Sequence, residues 1–353
     1  MRPRARAWLA NAALVATSLL VGAAAIEGVI AYALSHPGIL TAADFSVGRP
    51  LALARNYYMR KDRRIVQFLP DCAAYDAEVT YTLKPGARCV VANREHRVEY
   101  AANRAGLRDD DAALSNPRVA VLGDSHAMGW GVAAGETFAK VMQRDLGVTV
   151  LNAAMSSYGT ARELALLARL RLDGVKALVI QHCDNDYEEN DQLARRGALG
   201  ITAEGRYRAL VAEHARETRY YPFKYLRNLF SIARFAMPWR RTPPPPADTD
   251  AEEARAFLDV LLRHRASVEG KAIVVIELNE FNRGEGKFAK ALAERLRDPR
   301  YADLARWVSV VDVHPLLTAA DFYVLDEHMR PSGHAKVAKA IEAELRRRGA
   351  LAP

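Results

Sequence analysis

Gly123-Asp124-Ser125 follows the short apolar run Val119–Leu122 and precedes Gly129-Trp130-Gly131. A serine just past a strand buried on both faces stands at the carboxyl edge of a parallel sheet, where ligand crevices form in open α/β folds. Small neighbours let a substrate carbonyl and backbone N–H groups come close. Ser125 is therefore the candidate nucleophile. Asn185, in Gln181-His182-Cys183-Asp184-Asn185-Asp186, can direct its amide at a developing oxyanion, an effect worth about 3 kcal/mol elsewhere; taken alone, the same residues also read as a polar turn. Near the C-terminus, Asp326-Glu327-His328 can supply a base and its orienter. His334 is the competing base, but it begins the last helix without an adjacent carboxylate, so a structural role is expected. His126 and His182 could meet near the serine. Nine histidines and three cysteines are nevertheless too few and too dispersed to suggest a zinc site, and no metal or cofactor is expected.

These residues need elements to hold them. From Pro117 onward, strands alternate with helices: Val119–Leu122, Val148–Asn152, Ala177–Gln181, Ile273–Leu278 and Val308–Val313 read as strands. Phe138–Leu146, a Leu/Ala-rich segment from Thr160 to a stop at Gly174, Lys287–Arg297 and a last segment capped by Ser332 read as helices. Thr160-Ala161-Arg162-Glu163 has the form of a capping box. Repeated βα units imply an α/β fold with a parallel sheet and helices on both faces. Between Asp186 and Gly270 the pattern is helical but interrupted, and the prolines at 243–246 suggest a flexible loop. Ahead of the α/β region, irregular chain is expected to about Pro70. Short strands follow at Val79–Leu83, Cys89–Val91 and Val98–Ala102, closed by Asn103–Arg108.

Taken together, these patches resemble the SGNH (GDSL-type) hydrolase family. The resemblance runs from about Pro117 to the C-terminus, apart from the insert. It implies a flavodoxin-like three-layer sandwich with a five-stranded parallel sheet. It further implies Ser125 as nucleophile, His328 as base and Asp326 as its orienter, with Asn185 and the Ser125 and Ser157 backbone N–H groups as the oxyanion hole. The segment ending at Asn103–Arg108 resembles the N-terminal extension of membrane-anchored members. Ser157 stands where the family usually has glycine, so its N–H serves only if Ser157 adopts the required backbone angles. Cys183 also replaces a frequent glycine. One residue separates Asp326 from His328 where many members have two, a spacing that occurs in acetyltransferase-like relatives acting on polysaccharides.

Arg2, Arg4 and Arg6 precede an apolar stretch from about Trp8 to Leu34. This is long enough to span a bilayer, and the basic flank places the rest outside the cytoplasm. The run exceeds the ~7–15 residues of a signal-peptide core, which favours a retained signal anchor. Ala23–Ala25 and Ala31–Ala33 also fit small-x-small cleavage sites, so secretion after cleavage is the alternative. Export permits disulfides, and Cys72 and Cys89 flank a hairpin-like stretch. A Cys72–Cys89 bridge is expected, leaving Cys183 free. The chain thus divides into an anchor (1–34), a linker and β-rich accessory segment (35–116), and a hydrolase-like domain (117–353) with its insert at about 187–270.

The net charge of +8 comes from scattered basic residues without a nucleic-acid-binding motif, so no nucleic-acid partner is expected. The expected activity is a serine esterase or deacylase acting outside the cytoplasm. Its substrate would be O-acyl (acetyl) esters of envelope or exported polysaccharide, or lipid esters. Trp130, Tyr158 and Tyr187 are candidate pocket residues, each equally able to be core. The alternatives are a polysaccharide O-acetyltransferase using the same triad and a catalytically silent envelope-binding or assembly protein.

Overall fold

The computed structural model describes residues 3–43, 50–170, 172–229, 249–279, 281 and 285–351. Helix α1 (Pro3–Ser35) exposes Trp8, Leu14, Leu19 and Leu20, side chains that a helix in a water-soluble core would bury. Its apolar stretch, Arg6–Ser35, exceeds the roughly 20 residues needed to cross a bilayer. The last turns are packed differently. Glu27 is buried, and its carboxylate accepts the backbone N–H groups of Tyr225 (3.2 Å) and Leu226 (2.9 Å). Leu34 belongs to an apolar cluster with Tyr57, Tyr58, Tyr225 and Leu325.

Where the sequence suggests irregular chain, the structure instead forms helix α2 (Pro50–Tyr57) and a π-helical turn, Tyr58–Asp62. Only Leu51 and Tyr57 of α2 are buried, which is too short a stripe to show a helical period. Strand β1 (Ala73–Asp76) pairs antiparallel with β2 (Thr80–Leu83), and β3 (Arg88–Ala92) with β4 (Arg97–Ala101). The β1 sequence, Ala-Ala-Tyr-Asp, carries little strand propensity and is absent from the sequence expectations. A disulfide joins Cys72, just before β1, to Cys89 in β3, with the Cα atoms 5.4 Å apart.

The main sheet contains β5 (Val119–Leu122), β6 (Val150–Asn152), β7 (Ala177–His182), β8 (Ala272–Glu277) and β9 (Val308–Val311). All neighbours are parallel, in the order β6-β5-β7-β8-β9. This is the doubly wound, flavodoxin-like order, with its switch point between β5 and β7. Every residue of β5, β6 and β7 is buried, because helices cover both faces. The helices of this region are α3 (Phe138–Leu146), α4 (Thr160–Ala168), α5 (Asp186–Arg196), α6 (Glu204–Thr218), α7 (Thr249–Arg263), α8 (Lys287–Arg295) and α9 (Pro331–Arg347), of which α6 packs on the Tyr58–Asp62 turn and β1. Helices α3 and α9 pack together, while α7 packs on α5 and α8.

Local start signals differ from expectation at two helices. Gly159, not Thr160, is the N-cap of α4. Thr160 Oγ1 donates to Asp186 Oδ2 (3.1 Å), and Glu163 turns into the interior, so no capping box forms. Helix α9 is capped by Arg330 with Pro331 at its first position, and Ser332 Oγ donates to Asp321 Oδ1 (2.8 Å). Helix α4 also ends at Ala168, well before Gly174. The proline run at 243–246 lies outside the described residues.

Candidate active site

The turn after β5 is built around Gly123. Its φ is +145°, and a Cβ there would lie 2.6 Å from Gln181 Oε1 and 2.6 Å from Ala127 Cβ. Only glycine fits such a position. The same Gln181 Oε1 accepts the backbone N–H of Asp124 (3.1 Å) and Ala127 (3.3 Å), pinning the turn to β7. Asp124 caps the single helical turn Ser125–Met128 by accepting the His126 N–H (2.9 Å). Burial, with the nearby Asp186 charge, raises the Asp124 carboxyl to about 7.

Ser125 Oγ lies 2.7 Å from His328 Nε2, and His328 Nδ1 lies 2.5 Å from Asp326 Oδ1. These residues, distant in sequence, thus form one continuous hydrogen-bonded chain. Burial opposes charge on Asp326, but the His328 ring and its hydrogen bond, with His96 (Nε2 3.8 Å from Oδ2) and the Arg63 guanidinium, hold the carboxyl well below its usual range. Asp326 therefore stays ionised and keeps the Nδ1–H tautomer on His328, leaving Nε2 to face the serine. The other carboxylate oxygen, Oδ2, accepts Trp130 Nε1–H (3.0 Å) and the Tyr58 hydroxyl. His328 is held between two rings: Trp130 stacks on it at 5.1 Å, and His126 lies 4.7 Å away on centroids. The backbone entering this block is gripped by the Glu95 carboxylate, which accepts the N–H groups of Val324 (2.7 Å), Leu325 (2.6 Å) and Asp326 (3.2 Å).

Ser125, Ser157, Asn185 and His328 line one cavity of about 360 Å³. Ser157 has φ of 58°, the left-handed conformation that glycine would adopt without strain. Its neighbours hold it there: Gln67 Nε2 donates to Ser157 Oγ (3.0 Å), and the Tyr81 hydroxyl donates to the Ser156 carbonyl. Among the described residues, no protein acceptor takes the Ser125 or Ser157 backbone N–H. Asn185 Nδ2 lies 3.4 Å from Asp124 Oδ2, which holds the amide at the rim of the cavity.

The aromatic candidates separate. Trp130 forms part of the cavity wall. Tyr158 lies buried beneath it, its ring edge-on to Tyr81 and its hydroxyl on the Tyr81 carbonyl, and neither Tyr158 nor Tyr187 lines the cavity. Cys183 is a buried free thiol on the cavity wall, its pKa pushed well up by burial. His334 is buried in the core, stacked on Phe138, and its Nδ1 accepts the Phe138 N–H (3.3 Å). Desolvation drives its pKa down to about 3, so the ring is neutral. His126 borders the cavity. His182 instead stacks on Phe288 at 3.6 Å and lies 3.3 Å from Asp186, so the two histidines do not meet. Among the described residues no cluster of histidine, cysteine and acidic side chains is arranged to hold a metal ion.

Sequence reasoning misses most of the residues that brace this site. Arg108 is buried and donates to the carbonyls of Met128 (3.0 Å), Gly129 and Val132 (2.6 Å), with its guanidinium stacked 3.6 Å from the Tyr100 ring. Arg63 reaches Glu327 Oε1 at 2.5 Å on the cavity wall. Tyr58, Gln67, Tyr81, Glu95 and Arg108 all come from the segment before β5 and share no motif spacing. Asn103–Arg108, closing that segment, is the one signal that could have pointed to them.

Neither a family model nor a curated protein sequence matches this chain. Solved structures do. TesA shares 13% identity over 65% of this chain and 98% of its own, with a TM-score of 0.37. The acetyl xylan esterase Est2A of the rumen bacterium Butyrivibrio proteoclasticus shares 14% identity over 66% of this chain, with a TM-score of 0.37; the match spans 64% of Est2A, less than two thirds of it. A G-D-S-L family protein of Desulfitobacterium hafniense shares 11% identity over 65% of this chain and 99% of its own, with a TM-score of 0.35. The fold is similar to that of SGNH/GDSL-type esterases.

Proposed function

We propose that this protein is a serine esterase that removes short acyl groups, acetyl above all, from polysaccharide outside the cytoplasm. The observation that carries the reading is the unbroken chain Ser125 Oγ–His328–Asp326, opening on the cavity that Ser157 and Asn185 also line. Ser125 Oγ attacks the ester carbonyl as its proton passes to His328 Nε2. The oxyanion formed is met by the Ser125 and Ser157 N–H groups and the Asn185 amide. Collapse breaks the ester C–O bond, and His328 returns the proton to the departing sugar oxygen. Water, deprotonated by His328, then attacks the acyl-serine, and Ser125 leaves with its proton restored.

The cavity wall favours a short acyl group on a polar carrier over a lipid ester. The cavity is small, and beside the apolar Ile65 and Trp130 its wall carries Arg63, Ser156, Asp184, Asn279 and Glu327 as hydrogen-bonding groups. The retained-anchor reading is favoured by Glu27 and Leu34, which are buried against the rest of the chain, whereas a cleaved leader needs no such packing. Turnover of p-nitrophenyl acetate and p-nitrophenyl palmitate by the full chain in detergent tests the reading. Acetate release is expected to exceed palmitate release by at least about tenfold and to vanish in Ser125→Ala. Equal rates in wild type and Ser125→Ala contradict the esterase, and preference for palmitate contradicts the short-acyl assignment. Acetyl transfer to an added oligosaccharide in place of hydrolysis would make a sugar hydroxyl, not water, the acceptor.

A further inference from the structure

Asp326 is fixed from outside the α/β domain as well as within it. Its Oδ1 faces His328 Nδ1 at 2.5 Å, while Oδ2 accepts Trp130 Nε1–H (3.0 Å) and the hydroxyl of Tyr58. Tyr58 is 1% exposed and sits in the π-helical turn Tyr58–Asp62, directly after α2. Arg55 of α2 reaches the same loop, its Nε donating to the Val324 carbonyl (2.7 Å). Leu34, at the end of α1, shares a cluster with Tyr58 and Leu325, the residue just before Asp326. A carboxylate with both oxygens engaged cannot rotate, and its orientation sets that of the imidazole it holds.

We infer that Tyr58 is a positioning residue for the Asp326–His328 pair, which makes the π-helical turn Tyr58–Asp62 part of the active site. This rests on the esterase reading above, and it concerns residues that lie outside every motif carrying that reading. Tyr58 touches no reacting atom. It acts by donating a hydrogen bond to the oxygen of Asp326 that His328 does not use. Loss of that donor concentrates negative charge toward Oδ1, which both loosens the imidazole and makes it more basic.

The test is Tyr58→Phe in the full chain, which keeps the ring and removes the hydroxyl, assayed with p-nitrophenyl acetate beside wild type, Ser125→Ala and Tyr57→Phe. Tyr57 is the adjacent buried tyrosine, and its hydroxyl has no hydrogen-bond partner among the described residues. Tyr58→Phe is expected to lower kcat about tenfold or more with KM within about twofold, and to move the acid limb of kcat/KM to higher pH. Tyr57→Phe is expected to match wild type. A Tyr58→Phe enzyme with unchanged kcat and pH profile overturns the inference while leaving the esterase reading intact. Equal activity in wild type and Ser125→Ala overturns the reading itself, and the inference with it. Should Tyr58→Phe fail to fold, Trp130→Phe withdraws the other donor from the same oxygen. The same fall in kcat and shift of the acid limb are then expected, and an unmoved acid limb would overturn the role of Oδ2.

Discussion

Ser157 shows how far single residues are legible. Its place after β6 and its backbone N–H follow from the sequence, but the left-handed φ of 58° that aims that N–H is stabilised by Gln67 and Tyr81, far away in the chain. Side chains and main chain play different parts in such a hole. Ser157→Gly keeps the N–H and relieves the left-handed strain while losing the Gln67 hydrogen bond, so kcat is expected to stay within about threefold of wild type. Asn185→Ala removes the donor itself and is expected to cost roughly 100-fold or more in kcat. Single-turnover acetylation rates of the two variants check this, and an Asn185→Ala enzyme as fast as Ser157→Gly would remove the amide from the proposed mechanism. Ser125, His328 and Asp326 are legible for a simpler reason. Ser125 follows a strand and Asp326 and His328 precede a helix whose hydrophobic patterns are strong, whereas Tyr58 and Glu95 act through contacts that no local pattern encodes.

Among elements, the strongly periodic and fully buried ones match expectation most closely. Helix α3 spans the residues its amphipathic pattern marks, and β5 and β7 begin where their apolar runs begin. The short elements do not. Helix α2 and β1 derive their conformation from what they pack against, and the Thr160 box fails because Glu163 is turned into the interior. The hairpins β1–β2 and β3–β4 brace the loops of the candidate site through Tyr81, Glu95 and Tyr100, with Arg108 just beyond them. The Cys72–Cys89 bridge, closing a sequence separation of 17, cross-links this brace. A loop of that size restricts the unfolded chain by about 3 kcal/mol. A Cys72→Ser/Cys89→Ser double variant is therefore expected to lose about that much stability in urea unfolding. Alkylation of the denatured, unreduced wild type is expected to modify Cys183 alone, and labelling of all three cysteines would disprove the bridge.

At the scale of the whole molecule, the apolar N-terminal helix is visible in the sequence at once. Less visible is how that helix joins the rest. Its first turns expose apolar side chains, while Glu27 and Leu34 are buried by the 220–226 region and by the loop before Asp326. Helix α1, the β-rich segment and the α/β region therefore meet around the loop that leads into Asp326. The functional reading depends on Ser125 being activated by that assembly. Labelling of the full chain with a fluorophosphonate, mapped by peptide mass spectrometry, examines this without knowledge of the acyl donor. Stoichiometric modification at Ser125, lost in His328→Ala with the fold retained, is the predicted result. An unmodified Ser125 in folded protein, or labelling that persists unchanged in His328→Ala, would contradict it.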